Sequence, residues 1–102
     1  MLFTFDLKTL SQGLTDITSE VTEAVSESGV YEGICIVFCP HITASIMIKG
    51  DADSVMNTSE TIIISGGKLL LGKRQRIYFC EQSEAKFEKS VSKSRKFYVK
   101  II

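Results

Sequence analysis

The chain has 102 residues and a mass of 11.3 kDa, enough to bury one core and too few for two. Apolar residues make up 44 % and charged residues 24 %, close to the average of soluble globular chains, which excludes disordered, collagen-like and disulfide-scaffold classes. The formal charge is zero, but residues 1–67 hold two bases and nine acids while residues 68–102 hold ten bases and three acids, a split of −7 against +7. Two such halves can neutralise each other by packing, attract a second copy head to tail, or offer a cationic face to an anion.

The opening residues MLFTFDLKTL are interrupted by Asp6 and Lys8 and carry no basic flank, so no signal peptide is read and a cytoplasmic location is expected. No apolar run approaches the roughly 18 residues of a membrane span, so no membrane partner is expected. Cys35, Cys39 and Cys80 form an odd set, read as reduced thiols. Four apart on a strand, Cys35 and Cys39 would stand about 13 Å from each other at about 3.3 Å per residue, beyond disulfide reach. The Asn57-Thr58-Ser59 sequon is on this reading a chance one.

Residues 2–8 alternate Phe3, Phe5 and Leu7 with Thr4, Asp6 and Lys8, the period of a half-buried strand, and Ser11-Gln12-Gly13 reads as the turn after it. Ile17, Val21, Ala24, Val25 and Ser28 then share one face of a helix over 18–28, with Thr18 as N-cap, Glu20 in the first turn and Gly29 as stop. Residues 33–39 are apolar at both periods, which predicts a central strand covered on both faces and ended by Pro40. Residues 43–48 predict another strand, while 49–59 are polar and uninformative. Residues 60–65 and 68–71 flank Gly66-Gly67 as a hairpin. Strands follow at 77–81 and 96–101. Between them, residues 82–95 have only Phe87 and Val91 to bury and read as a short amphipathic helix or a loop. About seven strands with one helix predict a single β-rich α+β domain over residues 1–102. Its uncovered sheet edges favour an oligomer.

The only histidine, His41, lies in Cys39-Pro40-His41-Ile42-Thr43, where an extended backbone would bring Cys39, His41 and Thr43 to one face. His41 is a candidate general base or zinc ligand, against the plainer reading of a rim histidine without a role. No metal-spaced His or Cys pairs accompany it. Cys39 or Cys80 with His41 would make a nucleophilic pair, although their IVFC and IYFC surroundings mark buried thiols. Glu81 is either a catalytic carboxylate or the first solvated residue after an apolar strand. Gly66-Gly67 lacks the spaced glycines and following helix of a phosphate loop. The basic stretch 86–100, with Phe87, Phe97 and Tyr98 interleaved, admits a nucleic-acid reading. Alternation of Phe97, Val99 and Ile101 with Lys96, Tyr98 and Lys100 fits a half-buried strand better, and the pI is only 6.6. Nucleic acid is therefore not the expected partner.

The stretches DITSEVTEAVSESGVYEGICIVFCPHITASIMI, TSETIIISGGKLLLG and QRIYFCE, with the last strand RKFYVKII, together resemble the YjbQ-like family, also called secondary thiamine-phosphate synthase enzymes. The resemblance implies an α+β half-barrel assembled as a homotrimer, with a polar pocket near the subunit interfaces. It implies a phosphorylated small molecule as ligand, and thiamine phosphate formation has been proposed as the activity. A divalent metal such as zinc is the cofactor it leaves open. Carried onto this chain, it makes His41 and Glu81 the catalytic residues, His41 a metal ligand, and Thr43, Gln75 and Asp51 substrate-binding residues.

The departures bear on function. The family's Asn-Glu-Asn-Ala-Asp run is Lys49-Gly50-Asp51-Ala52-Asp53 here, and Arg74 and Arg76 replace a Trp and a Gly around Gln75. Its Phe-Asp-Gly-Pro-Arg run is Gln82-Ser83-Glu84-Ala85-Lys86. Family members also carry, between the positions of Val55 and Thr58, a helix and a His-x-Glu-Gly-Asn segment followed by Ala-His-Ile, none of which is present. Two readings follow: an enzyme of the family type using His41 and Glu81, and a non-catalytic homotrimeric scaffold or phosphate-binding protein that has lost the site.

Overall fold

The computed structural model describes residues 1–9, 12–50, 57–82 and 93–102. They form β1 (Leu2–Thr9), β2 (Gly13–Asp16), α1 (Thr18–Ser28), β3 (Gly33–Phe38), β4 (Ala44–Lys49), β5 (Ser59–Ser65), β6 (Lys68–Leu69), β7 (Arg76–Glu81) and β8 (Lys93–Ile101). One sheet runs β1-β8-β3-β5-β6 and the other β2-β7-β4, and every pairing is antiparallel. Among the described residues the strands curl into a half-barrel with one helix, α1. No helix among the described residues is long and apolar enough to cross a membrane.

Strand alternation places the core. Phe97, Val99 and Ile101 of β8 are buried beside Cys35 and Val37 of β3 and Ile62 and Ile64 of β5. The second sheet contributes Ile46, Ile77 and Phe79, and α1 lays Val21, Ala24 and Val25 against them. Phe97 stacks on Phe5 with ring centroids 5.0 Å apart and meets Phe79 of the other sheet at 6.3 Å, so one ring of β8 bridges the two sheets.

The helix spans the predicted residues, and Gly29 ends it at φ 70°, a left-handed conformation that costs glycine little. Its start differs from expectation. Thr18 is not the cap: Asp16 accepts the Thr18 N–H at 2.9 Å, while the Thr18 hydroxyl accepts the Ile77 N–H at 2.8 Å. The threonine is thus committed to β7, and the carboxylate two residues earlier satisfies the exposed amide. Gly66 and Gly67 adopt φ 63° and 76°, the pair of positive values a two-residue hairpin requires.

Four further differences from expectation appear. The predicted double-sided cover of β3 is absent: Ile34 and Phe38 are 43 % and 42 % exposed, because α1 and the second sheet cover only the inner face. β2 was not foreseen; its four residues bury little by themselves, and they are a strand because β7 offers an edge along Leu14 to Cys80 and Thr15 to Phe79. The second arm of the hairpin is only Lys68–Leu69, whereas the last strand begins at Lys93, ahead of the predicted start. The alternative helix or loop over 82–95 falls largely on residues 83–92, outside the described residues.

Truncating the bridging ring with Phe97→Ala should lower the unfolding free energy by about 3–5 kcal/mol, measured by urea denaturation. A loss under about 1 kcal/mol would refute the bridging role.

Candidate functional site

The longer β8 decides the site. Counting back by two from the buried Phe97 puts Arg95 on the inner face of the sheet, opposite Leu7 of β1. Glu81 closes β7 and is 2 % exposed. The Arg95 guanidinium grips it with two bonds, Nε to Oε1 at 2.6 Å and Nη2 to Oε2 at 2.9 Å. The Thr9 hydroxyl donates to Oε1 at 2.5 Å. A carboxylate so deeply buried is tolerated because a bidentate cation and a hydroxyl replace its water. Glu81 is therefore not the first solvated residue of the sequence reading.

Arg95 Nη2 also donates to Thr43 Oγ1 at 3.0 Å, and the next residue reaches His41. The Lys96 main-chain N–H donates to His41 Nε2 at 2.9 Å, while its ammonium crosses to Asp6 on the outer face at 2.8 Å. Desolvation, reinforced by the Arg95 cation, holds the His41 imidazole below its ordinary pKa of 6.5, so the ring is neutral at neutral pH. Residues 39–43 are not extended as predicted, and Thr43 and His41 are instead held separately by neighbouring residues of β8, Thr43 by the Arg95 side chain and His41 by the Lys96 amide.

Cys35 and Cys39 are unsuited to attack. Burial pushes Cys35 up to about 11 and raises Cys39 as well, leaving both protonated. Cys39 Sγ lies 3.9 Å from the His41 carbonyl rather than its ring. Nor does the donor set fit a divalent cation. Among the described residues no three of His, Cys, Asp and Glu gather at one point. The lone pair of His41 Nε2 is engaged by an amide, and Arg95 occupies the place beside Glu81 that a metal would need.

Of the substrate-binding candidates, Thr43 belongs to this cluster and Gln75 does not. Gln75 precedes β7 at its far end, about 20 Å from Glu81 at about 3.3 Å per residue. There its Oε1 accepts the Gly72 N–H at 2.7 Å and shapes the approach to β7. Asp51 lies outside the described residues. Sequence reasoning missed Arg95 and Thr9. The available signal was the period of two, which continues from Ile101 through Val99 and Phe97 to Arg95 and demands a buried acid for that arginine. Two open clefts of about 370 and 260 Å³ share Lys8 beside the pair; the first is lined by Arg95 and Ser94, the second by Thr9 and Glu81.

The family model described as UPF0047 protein YjbQ-like matches residues 3–55 and 52–102. UPF0047 protein MJ1081 of Methanocaldococcus jannaschii is 34 % identical over 137 residues, covering 100 % of this chain and 94 % of the relative. UPF0047 protein YugU of Bacillus subtilis is 30 % identical over 117 residues, covering 79 % of this chain and 89 % of the relative. A crystal structure of an uncharacterised YjbQ/UPF0047-family protein from Clostridium acetobutylicum is 35 % identical, with a TM-score of 0.82 over 98 % of this chain and 99 % of that one. A hypothetical protein from Aeropyrum pernix, 21 % identical, shares the fold with a TM-score of 0.85 over 100 % of this chain and 98 % of its own.

Two outcomes follow. Arg95→Met leaves the Glu81 carboxylate buried without its cation and should cost about 3–5 kcal/mol in chemical denaturation, whereas Glu81→Gln combined with Arg95→Met should cost clearly less. Because the folded pKa of His41 lies below that of the unfolded chain, the unfolded state binds more protons in that window. Stability from this residue is complete above pH 6.5 and is lost as the pH falls toward the folded value. A pH series of melting temperatures should show that slope, and His41→Gln should flatten it.

Proposed function

This chain belongs to the UPF0047, YjbQ-like family, and we propose that within it the chain binds a phosphate-class oxyanion through Arg95, Thr43 and His41. The observation that carries this reading is how the cluster divides its hydrogen bonds. Its acceptors are engaged internally, Glu81 by Arg95 and Thr9, and His41 Nε2 by Lys96. Its donors are not exhausted: among the described residues Arg95 Nη1 has no partner, and the Thr43 hydroxyl accepts from Arg95 while its own proton stays available. The neutral His41 ring adds a third N–H. Such donors are the chemistry that recognises an oxyanion, and Arg95 among them lines a cleft together with the cationic Lys8 and with Asp6.

The chain also reads as a shortened family member. Its match with the M. jannaschii relative runs over 137 positions against 102 residues here, and the family model matches in two stretches that meet at 52–55. Both support loss, between those stretches, of the segment in which the resemblance places two more histidines. His41 is left as the only imidazole, and one imidazole without partners is better suited to binding than to acid–base turnover. The assembly proposed is a homotrimer, supported by the open apolar face of Ile34, Phe38 and Ile63. Thiamine-phosphate synthase activity is the second reading. It is favoured by a ring that is neutral at neutral pH beside two phosphate-holding donors.

Titration with inorganic phosphate at low ionic strength, followed by calorimetry, should give saturable binding that weakens as salt is added and is lost in Thr43→Val with the fold intact. No binding at low salt would overturn the reading. Formation of thiamine phosphate that depends on His41 would establish the second one instead. Sedimentation should give the mass of three chains, with a melting temperature that falls on dilution; a monomer mass with a concentration-independent melt would exclude the trimer.

A further inference from the structure

The main-chain partner of His41 has a cause in the sheet. Along β3 and β8 the hydrogen-bonded pairs are set by Ile34 and Ile102, which exchange both bonds at 3.0 Å. Narrow pairs recur every two residues in an antiparallel ladder, so Ile36 with Lys100 and Phe38 with Tyr98 are the next two. The same count brings position 40 opposite Lys96. That position is Pro40, which keeps its carbonyl but has no N–H to return, so the two-bond pair cannot close, and β3 stops at Phe38. The Lys96 N–H, pointing to the side where the ladder would have continued, is not taken up by a β3 carbonyl. His41 Nε2 takes that place at 2.9 Å.

We infer that this break in the ladder locks His41 in the tautomer protonated on Nδ1, making it a fixed hydrogen-bond donor whose orientation is set by Pro40 and the Lys96 amide. An amide N–H has only a proton to offer, so the nitrogen facing it carries the lone pair. A neutral imidazole has one such nitrogen, and its single proton is then on Nδ1. The arrangement also resists protonation, because a proton on Nε2 would face the Lys96 N–H directly. The charged side chains acting on the ring are Arg95 and Glu81. Arg95 opposes a second charge and Glu81 favours it. Lys96 is thus a positioning residue that acts through its backbone and independently of its side chain, which serves Asp6. The tautomer stands on geometry alone; that the Nδ1 proton meets an oxyanion rests on the proposed function.

The test separates the two. Long-range proton–nitrogen correlation spectra of uniformly ¹⁵N-labelled protein, without ligand and above pH 7, should show a protonated Nδ1 and an unprotonated Nε2 for the sole histidine. A protonated Nε2, or averaging between tautomers, would overturn the inference. Lys96→Ala should leave the pattern unchanged, which a side-chain role would not. Lys96→Pro removes the amide proton and should release the ring to tautomer averaging, with the β1 and β8 amide resonances reporting whether the sheet survives; an intact sheet with the lock retained also overturns the inference. Inorganic phosphate should then shift the Nδ1 signals in the wild type. A locked ring that does not respond keeps the tautomer and removes the oxyanion reading.

Discussion

The buried pair of Glu81 and Arg95 is the constraint around which this half-barrel is arranged. It joins the last residue of β7 in one sheet to the inner face of β8 in the other, and Thr9 at the end of β1 completes it. Burying a carboxylate is costly unless every strong partner is supplied, so three strands and the loop bearing Thr43 must arrive together. Phe79 and Phe97 bring the same two sheets into contact in the middle of the core, their ring centroids 6.3 Å apart. Between them, the ion pair and the ring contact define how β7 and β8 face each other.

The uneven charge of the chain is resolved by the same fold. Asp16 pairs with Arg76 and Asp6 with Lys96, each joining the acidic first half to the basic second half. Exposed pairs of this kind contribute about 0–1 kcal/mol, so their effect is on arrangement more than on stability. Packing thus neutralises part of the imbalance, as one of the three initial possibilities required. The apolar outer face of β3 and β5 is a separate matter: among the described residues nothing buries Ile34, Phe38 or Ile63.

Around the ion pair, the hydrogen-bond pattern limits the available chemistry. Acceptors that acid–base or metal chemistry would draw on are already engaged by Arg95, Thr9 and the Lys96 amide. Donors dominate what remains, and the break in the β3–β8 ladder at Pro40 sets which nitrogen of His41 is among them. It is this donor-rich geometry that underlies the proposed ligand, one that accepts hydrogen bonds.

Much of the fold was legible because its signals are local. The period of α1, the glycine stop at Gly29, the positive-φ pair at Gly66-Gly67 and the alternation of Phe97, Val99 and Ile101 each depend on neighbours within a few residues. The sequence by itself also determined that His41, Thr43 and Glu81 were the polar residues set against apolar strands, and the resemblance carried by those strands led to the right family. Tertiary structure alone decided the rest. Thr18 left its capping role because Ile77 lay within reach, and β2 became a strand because β7 had a free edge. Arg95 found Glu81 because β8 starts earlier than its own apolar residues announce, while Gln75 was separated from the site by the length of β7. Which groups a side chain meets across a sheet depends on register and on the edges left open, and neither quantity is set by the few residues on either side of it.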